Sequence, residues 1–167
     1  MINLMETKRK ISEREVDNIL NPANWEVSEP KERMFTSDHV VDAYFKGKTA
    51  GLEEAEQLIL KNLQENIESA GNLTSEVLNL LRTDFGFNPI SARLKINSWS
   101  NFKILIVLPR AEFLNPKIFD LYDKLTDIEN NSEKEFFKVS YSVFGASADE
   151  INDSCLISDG YKLKHKQ

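Results

Sequence analysis

The chain has 167 residues, 41% of them hydrophobic, and a formal net charge of −6. That is enough apolar material for one packed domain with an arm, and the acidic balance speaks against a dedicated nucleic-acid binder, which carries a basic excess. The lone Cys155 excludes an internal disulfide and a cysteine zinc site, and no run approaches the roughly 20 apolar residues of a membrane helix.

The opening MINLMETKRKISER becomes charged before an apolar run can form, so no signal peptide is visible and the cytoplasm is the expected compartment. Residues 1–36 read as an arm. Ser12 with Glu15, flanked by Ile11 and Val16, has the form of a capping box with a hydrophobic staple, predicting a short helix that ends before Asn21-Pro22. Pro22 and Pro30 bracket Trp25 in a stretch without sustained period. Trp25 either docks on a partner as an aromatic anchor or packs the arm onto its own domain.

From residue 37 to 167 a single α+β domain is expected, helical over 37–85 and sheet-forming over 86–167. Thr36-Ser37-Asp38 offers N-caps for a helix over HVVDAYFKGK that Gly47 closes; Tyr44 and Phe45 on it are further candidate partner contacts. Leu52, Ala55, Ile59, Leu63, Ile67 and Ala70 recur at threes and fours, the apolar stripe of an amphipathic helix. Gly71-Asn72 is expected to end it. A second helix, about Thr74 to Asp84, then uses Val77, Leu78 and Leu81 and stops at Gly86.

The pattern next changes period. Ala92 to Ser98 alternates apolar and polar, as a half-buried strand does, and Ser98 to Asn101 reads as a turn. Phe102 to Leu108 is nearly continuously apolar, the mark of a central strand covered on both faces, and Pro109 stops it. Asn115-Pro116 is a helix start, followed by the stripe Ile118, Leu121, Tyr122, Leu125 and Ile128. Phe137 to Val143 alternates as a third strand. Ser147 with Glu150 predicts one helical turn, and Asp159-Gly160 a tight turn before a final strand over Tyr161–His165. The sum is an α+β domain: N-terminal helices, then a β-β-α-β(-β) sheet, mainly antiparallel, with helices on one face.

Motifs for catalysis are missing. No Gly-rich phosphate loop occurs, and His39 and His165, the only histidines, lie far apart with no His or Cys at ligand spacing. Asp38-His39 reads as a helix cap beside a surface histidine, Cys155 as a buried inert thiol, and Glu53-Glu54-Glu56 as a solvated first turn. No cofactor or metal is implied.

From about Thr74 to His165, roughly half of the chain, the order of elements resembles the small nucleotidyltransferases of the polymerase-β type. Those enzymes have a helix, a strand ending in Gly-Ser, a turn, a second strand opening Ser-Asp-x-Asp before an apolar run, a helix, and a third strand with one more Asp. Here Asn97-Ser98 stands near the Gly-Ser, Ser100-Asn101-Phe102-Lys103 where Ser-Asp-x-Asp would be, and Ile104 to Leu108 supplies the apolar run. Asn101 and Lys103 replace the two metal-binding carboxylates, and Phe137 to Phe144 offers only Ser140 and Ser142 for the third. The resemblance therefore implies a catalytically inactive relative.

Phe85 to Ala111 contains no Asp or Glu, and its charges are Arg93, Lys95, Lys103 and Arg110. On an alternating strand Arg93, Lys95, Asn97 and Trp99 share one face; with Lys103 across the hairpin they form a candidate basic-aromatic surface for an anionic ligand or nucleic acid. The same residues also serve as solvent-facing charges that discourage edge pairing. The leading expectation is a non-enzymatic interaction or assembly module with a protein partner, another copy or another chain. The alternative is an inactive nucleotidyltransferase-like domain binding a nucleotide or other anion.

Overall fold

The computed structural model describes residues 24–27 and 53–166. The helices expected before Pro22 and over HVVDAYFKGK, with His39, Tyr44 and Phe45, lie outside the described residues.

Helix α1, Glu53–Leu80, runs unbroken through the expected stop at Gly71-Asn72 and then widens into a π-helical turn, Leu81–Phe85. Gly86, at φ 70°, caps it by returning its N–H to the Leu81 carbonyl, a left-handed conformation that suits glycine. Gly71 serves another purpose. A Cβ there would stand 2.6 Å from Nε1 of Trp25, so the missing side chain admits the indole rather than ending the helix. Trp25 Nε1 donates to the Ile67 carbonyl at 3.0 Å, and Asn24 Nδ2 donates to Asn72 Oδ1 at 2.8 Å. What reads in sequence as a helix terminator is the slot that receives the arm.

Strand β1, Trp25–Val27, joins β2 (Ser91–Ser98), β3 (Asn101–Pro109), β4 (Lys138–Ala146) and β5 (Leu163–His165) in one sheet of order β1-β5-β2-β3-β4. The β1–β5, β5–β2 and β2–β3 pairings are antiparallel, whereas β3 and β4 run parallel from Asn101↔Lys138 to Pro109↔Ala146. A parallel neighbour needs a crossover. It is made by a short helix α2, Arg110–Phe113, and the longer α3, Ile118–Ser132. Helix α3 begins later than the expected Asn115-Pro116 start: Asn115 instead forms a turn ahead of it, its Oδ1 accepting the Lys117 N–H at 3.0 Å and its carbonyl the Ile118 N–H at 2.9 Å. On the free side of β4 the Tyr141 N–H donates to Glu129 of α3 at 2.5 Å, covering part of an exposed strand edge.

Alternation sends Ala92, Leu94, Phe102, Ile104, Ile106, Leu108, Val139, Tyr141 and Leu163 to one face, all buried in a single core. Trp25 and His165, directly paired, share that face. Helix α1 closes it with Leu63, Ile67, Val77, Leu78 and Leu81, and α3 with Ile118, Leu121 and Leu125. The α+β architecture with its mostly antiparallel sheet is thus as expected, with one addition. Residues 147–161 form a strap across the opposite face. It contains a one-turn 3-10 helix, Ala148–Glu150, with the expected Ser147–Glu150 capping box, and a six-residue helix α4, Asp153–Ser158, capped by Asn152. Neither α2 nor α4 is long enough to show a helical period in sequence.

Candidate anion-binding site

The second face of the sheet carries the cations. Directly opposed residues on antiparallel strands share a face, and the register sets Arg93 against Leu105 and against Lys164, and Lys95 against Lys103. Across the parallel pairing, Lys103 lies beside Ser140 and Leu105 beside Ser142. The strap divides this face into a covered and an uncovered part.

Arg93 is under the strap. Its Nη2 donates to Asp153 Oδ1 at 2.6 Å, and the two side chains differ sharply in exposure, 2% for the arginine and 64% for the aspartate. Such a short charge-assisted contact compensates a cation that would otherwise be very costly to bury. Arg110 lies at the strap's other end, at the start of α2. Its Nη2 donates to both carboxylate oxygens of Glu150 at 2.8 Å in an exposed pair. The Glu150 carboxyl is held below its ordinary value, first by the Ser147 N–H and hydroxyl and less by Arg110; the capping box organises it.

Beyond the strap lie Lys95 and Lys103. Lys95 is half-buried against the strap's end. Its ammonium stands 5.8 Å from the Tyr161 ring centroid, and its stem passes so close to Gly160 that a Cβ there would meet it at 3.2 Å. Lys103 is exposed. Among the described residues neither lysine has a carboxylate partner within ion-pair distance, whereas Lys138, beside Asn101 on β4, meets Glu133 at 3.2 Å. Like charges placed directly opposite on a sheet repel at a cost of about 0.2–1 kcal/mol. Asn97 and Asn101, 3.4 Å apart between side-chain nitrogen and oxygen, extend the polar rim toward the turn.

Trp99 does not continue this surface. The register shifts between Ile96 and Ser98, and such an irregularity breaks the strict alternation that would have put Trp99 beside Lys95. Its ring packs toward the helices, 5.4 Å from that of Phe136, and its carbonyl accepts from Asn66 of α1 at 3.0 Å. The aromatic at the lysines is Tyr161, whose phenol is pushed up by burial and by Asp159. Of the five residues singled out in sequence, the fold brings Lys95 and Lys103 together in the open, keeps Arg93 on the same face beneath the strap, and sends Trp99 and Arg110 elsewhere. Ser140, Lys138 and Tyr161 join the site through pairings of 35 residues or more in sequence distance, which leave no local signal.

Trp25 is fully buried within the chain's own core, edge-on to His165 at 5.0 Å. Its indole is an internal anchor for the arm. His165 Nε2 lies 3.0 Å from the Ser75 hydroxyl, which itself donates to the Gly71 carbonyl. Cys155, expected to be buried, is exposed on α4, because only Ile157 of that short helix is buried. Among the described residues no three His, Cys, Asp or Glu side chains are grouped to hold a metal ion, and no helix is long and apolar enough to cross a membrane.

Comparison of the chain with family models, curated proteins and solved structures finds no match to any of them.

Proposed function

We propose that this chain is a non-catalytic binding module of nucleotidyltransferase-like chain order, whose uncovered sheet face takes a phosphate-bearing ligand. The observation that carries the reading is the Lys95–Lys103 pair: two lysines set directly opposite, without a carboxylate in ion-pair distance among the described residues, in a chain of net charge −6. A repulsive pair on a surface rich in available acids is what an anion site requires and a solubility surface does not.

The order helix, strand, turn, strand, helix, strand supports the second half of the reading, with the last strand parallel beside the middle one. In that arrangement Lys103, whose register partner is Ser140, stands where the resemblance would put a metal-binding carboxylate, with Ser140 and Ser142 offered for the third. A lysine there brings its own positive charge. It attracts a phosphate but cannot polarise it as a divalent metal does, so the chemistry stops at binding.

Titration calorimetry with a nucleoside triphosphate, with and without magnesium, tests this. Binding is expected without the metal, weakened by salt and lost in Lys103→Glu. A single-stranded oligonucleotide in a parallel titration separates a nucleotide from a nucleic-acid source of phosphate, through a steeper salt dependence. No heat with either ligand would overturn the proposal.

A protein-contact reading draws on a different region. Leu114 and Phe119 are each 72% exposed and Tyr122 38%, the last two on one face of α3 by their spacing. Light scattering decides it: a strict monomer whose behaviour is unaltered by Phe119→Ser counts against self-association through α3.

A further inference from the structure

Resting on the reading of the open face as an anion site, we infer that its ligand is a nucleoside polyphosphate, whose base stacks on Phe136 at the hairpin-turn end of the sheet while its phosphates meet Lys95 and Lys103.

Phe136 is a large apolar ring kept in the open. It is 52% exposed, while its neighbour Phe137 takes the core position against Phe102. A scattered surface ring calls for no explanation, but this one is fixed in place. Lys134 and Phe137 exchange backbone hydrogen bonds at 2.9 and 3.2 Å, closing the turn that carries it. The Phe136 carbonyl accepts from Asn66 Nδ2 of α1 at 2.8 Å, and the same amide donates to the Trp99 carbonyl. The half-buried Trp99 ring backs that of Phe136, with centroids 5.4 Å apart and planes at 33°. An aromatic face set in advance loses little freedom when a flat ligand stacks on it.

The platform is within reach of the lysines. From Lys103 back to Asn101 is about 7 Å along β3. Asn101 lies beside Lys138, whose N–H donates to the Ser100 carbonyl at 2.7 Å, and Phe136 is two residues before Lys138. A chain of phosphates, a sugar and a base covers such a path.

Charge sets the direction in which the ligand lies. Among the described residues the lysine end has no carboxylate at ion-pair distance. The Phe136 end has Glu133 and Glu135, both exposed, and Lys138 offsets only the first, at 3.2 Å. Phosphates are drawn to the first end and turned away from the second, so the part that reaches Phe136 is flat and uncharged. A nucleobase is such a group. A longer single strand fits less well, because its further phosphates would run toward Glu133 and Glu135.

The test titrates adenosine triphosphate and inorganic tripolyphosphate, both without magnesium, into the full chain and into Phe136→Ala. The wild-type chain is expected to prefer the nucleotide about tenfold, the worth of one base stacked on an aromatic ring, and Phe136→Ala to lose that preference. Fluorescence provides the second measurement and decides the matter should Phe136→Ala fail to fold. Trp25 is fully buried, so quenching by the nucleotide is expected from Trp99, absent with tripolyphosphate and absent in Trp99→Phe. Equal affinity for the two ligands, a preference that survives Phe136→Ala, or nucleotide binding that leaves Trp99 emission unchanged overturns the base platform and leaves the open-face site standing. A single-stranded oligonucleotide that binds more tightly than the triphosphate overturns the choice of a free nucleotide. Failure of both phosphates to bind overturns the platform and the site together.

Discussion

The two faces of the sheet are made from alternate residues of the same strands, yet they are completed by different means. On the helix side, apolar side chains from β1 to β5 meet α1 and α3, and burial alone selects the partner. On the other side, Arg93, Lys95 and Lys103 are set by the same alternation, and what happens to each depends on the acids within reach. Asp153 is near Arg93, which is covered; among the described residues no acid meets half-buried Lys95 or exposed Lys103. An apolar face thus defines itself, whereas a charged face is defined by its counter-charges. The placement of carboxylates, more than that of the cations, marks out the candidate site.

That contrast can be broken most forcefully on the helix side. Trp25→Ala removes a fully buried indole and its bond to Ile67 and should cost about 3–5 kcal/mol in urea unfolding. A loss under about 1 kcal/mol would mean that β1 detaches without disturbing the core. Gly71→Ala comes next and sets two effects against each other. Helix propensity favours alanine by about 1 kcal/mol, while the new Cβ collides with a ring that is itself packed, at a cost of about 1–3 kcal/mol. The expected net result is destabilisation, and a more stable variant would show that the indole can shift.

A further test uses pH. Burial, chiefly, holds the His165 imidazole below its ordinary 6.5, with Arg82 adding to the effect and backbone carbonyl contacts opposing it. The unfolded chain then binds the proton more readily than the folded one. The contribution of His165 is complete above pH 6.5 and is lost as the pH falls from there through the folded value. Trp25, packed on that ring, should report the change in its fluorescence, and His165→Gln should flatten the acid limb of the stability curve. An unaltered limb in that variant assigns it to other groups. The smallest effect is expected on the open face: Lys103→Gln relieves the pair with Lys95 and should add about 0.2–1 kcal/mol at low salt. The gain should vanish near 1 M salt, where the screening length is about 3 Å. A loss of stability on this substitution would show that Lys103 has a structural partner, and would remove the main argument for the site.

Much of the framework was legible in the chain. The β2–β3 hairpin, the Asn115-Pro116 turn that leads into α3 and the Ser147–Glu150 turn follow from period, proline and cap chemistry, which act within a few residues. The apolar run of β3, in contrast, is covered on both faces only toward its end, Lys103 being exposed. Gly71 misled because glycine has two uses. As a stop signal it is local; as an opening for Trp25 it depends on a residue 46 positions away. Trp99 misled because strict alternation assumes a regular register, and the irregularity after Ile96 is a property of the pairing.

The basic pair itself was visible as charge pattern: an acid-free segment with Arg93 and Lys95 in alternation and Lys103 across a turn. Its division was not. Which cation is buried and which is left to solvent depends on a strap from β4 to β5, and on Asp153, 60 residues from Arg93.

By itself the sequence determined the elements and which side of each strand faces a core, because burial repeats with the geometry of a helix or strand and is written into consecutive residues. It also determined that the segment from Phe85 to Ala111, which forms the β2–β3 hairpin, carries no carboxylate. The tertiary structure decided that β1 completes the sheet through Trp25 in the Gly71 slot, that β4 lies parallel to β3, and that Lys95 and Lys103 stand open beside a covered Arg93. Those outcomes arise from contacts between distant segments, whose complementarity exists only once the chain has closed around them.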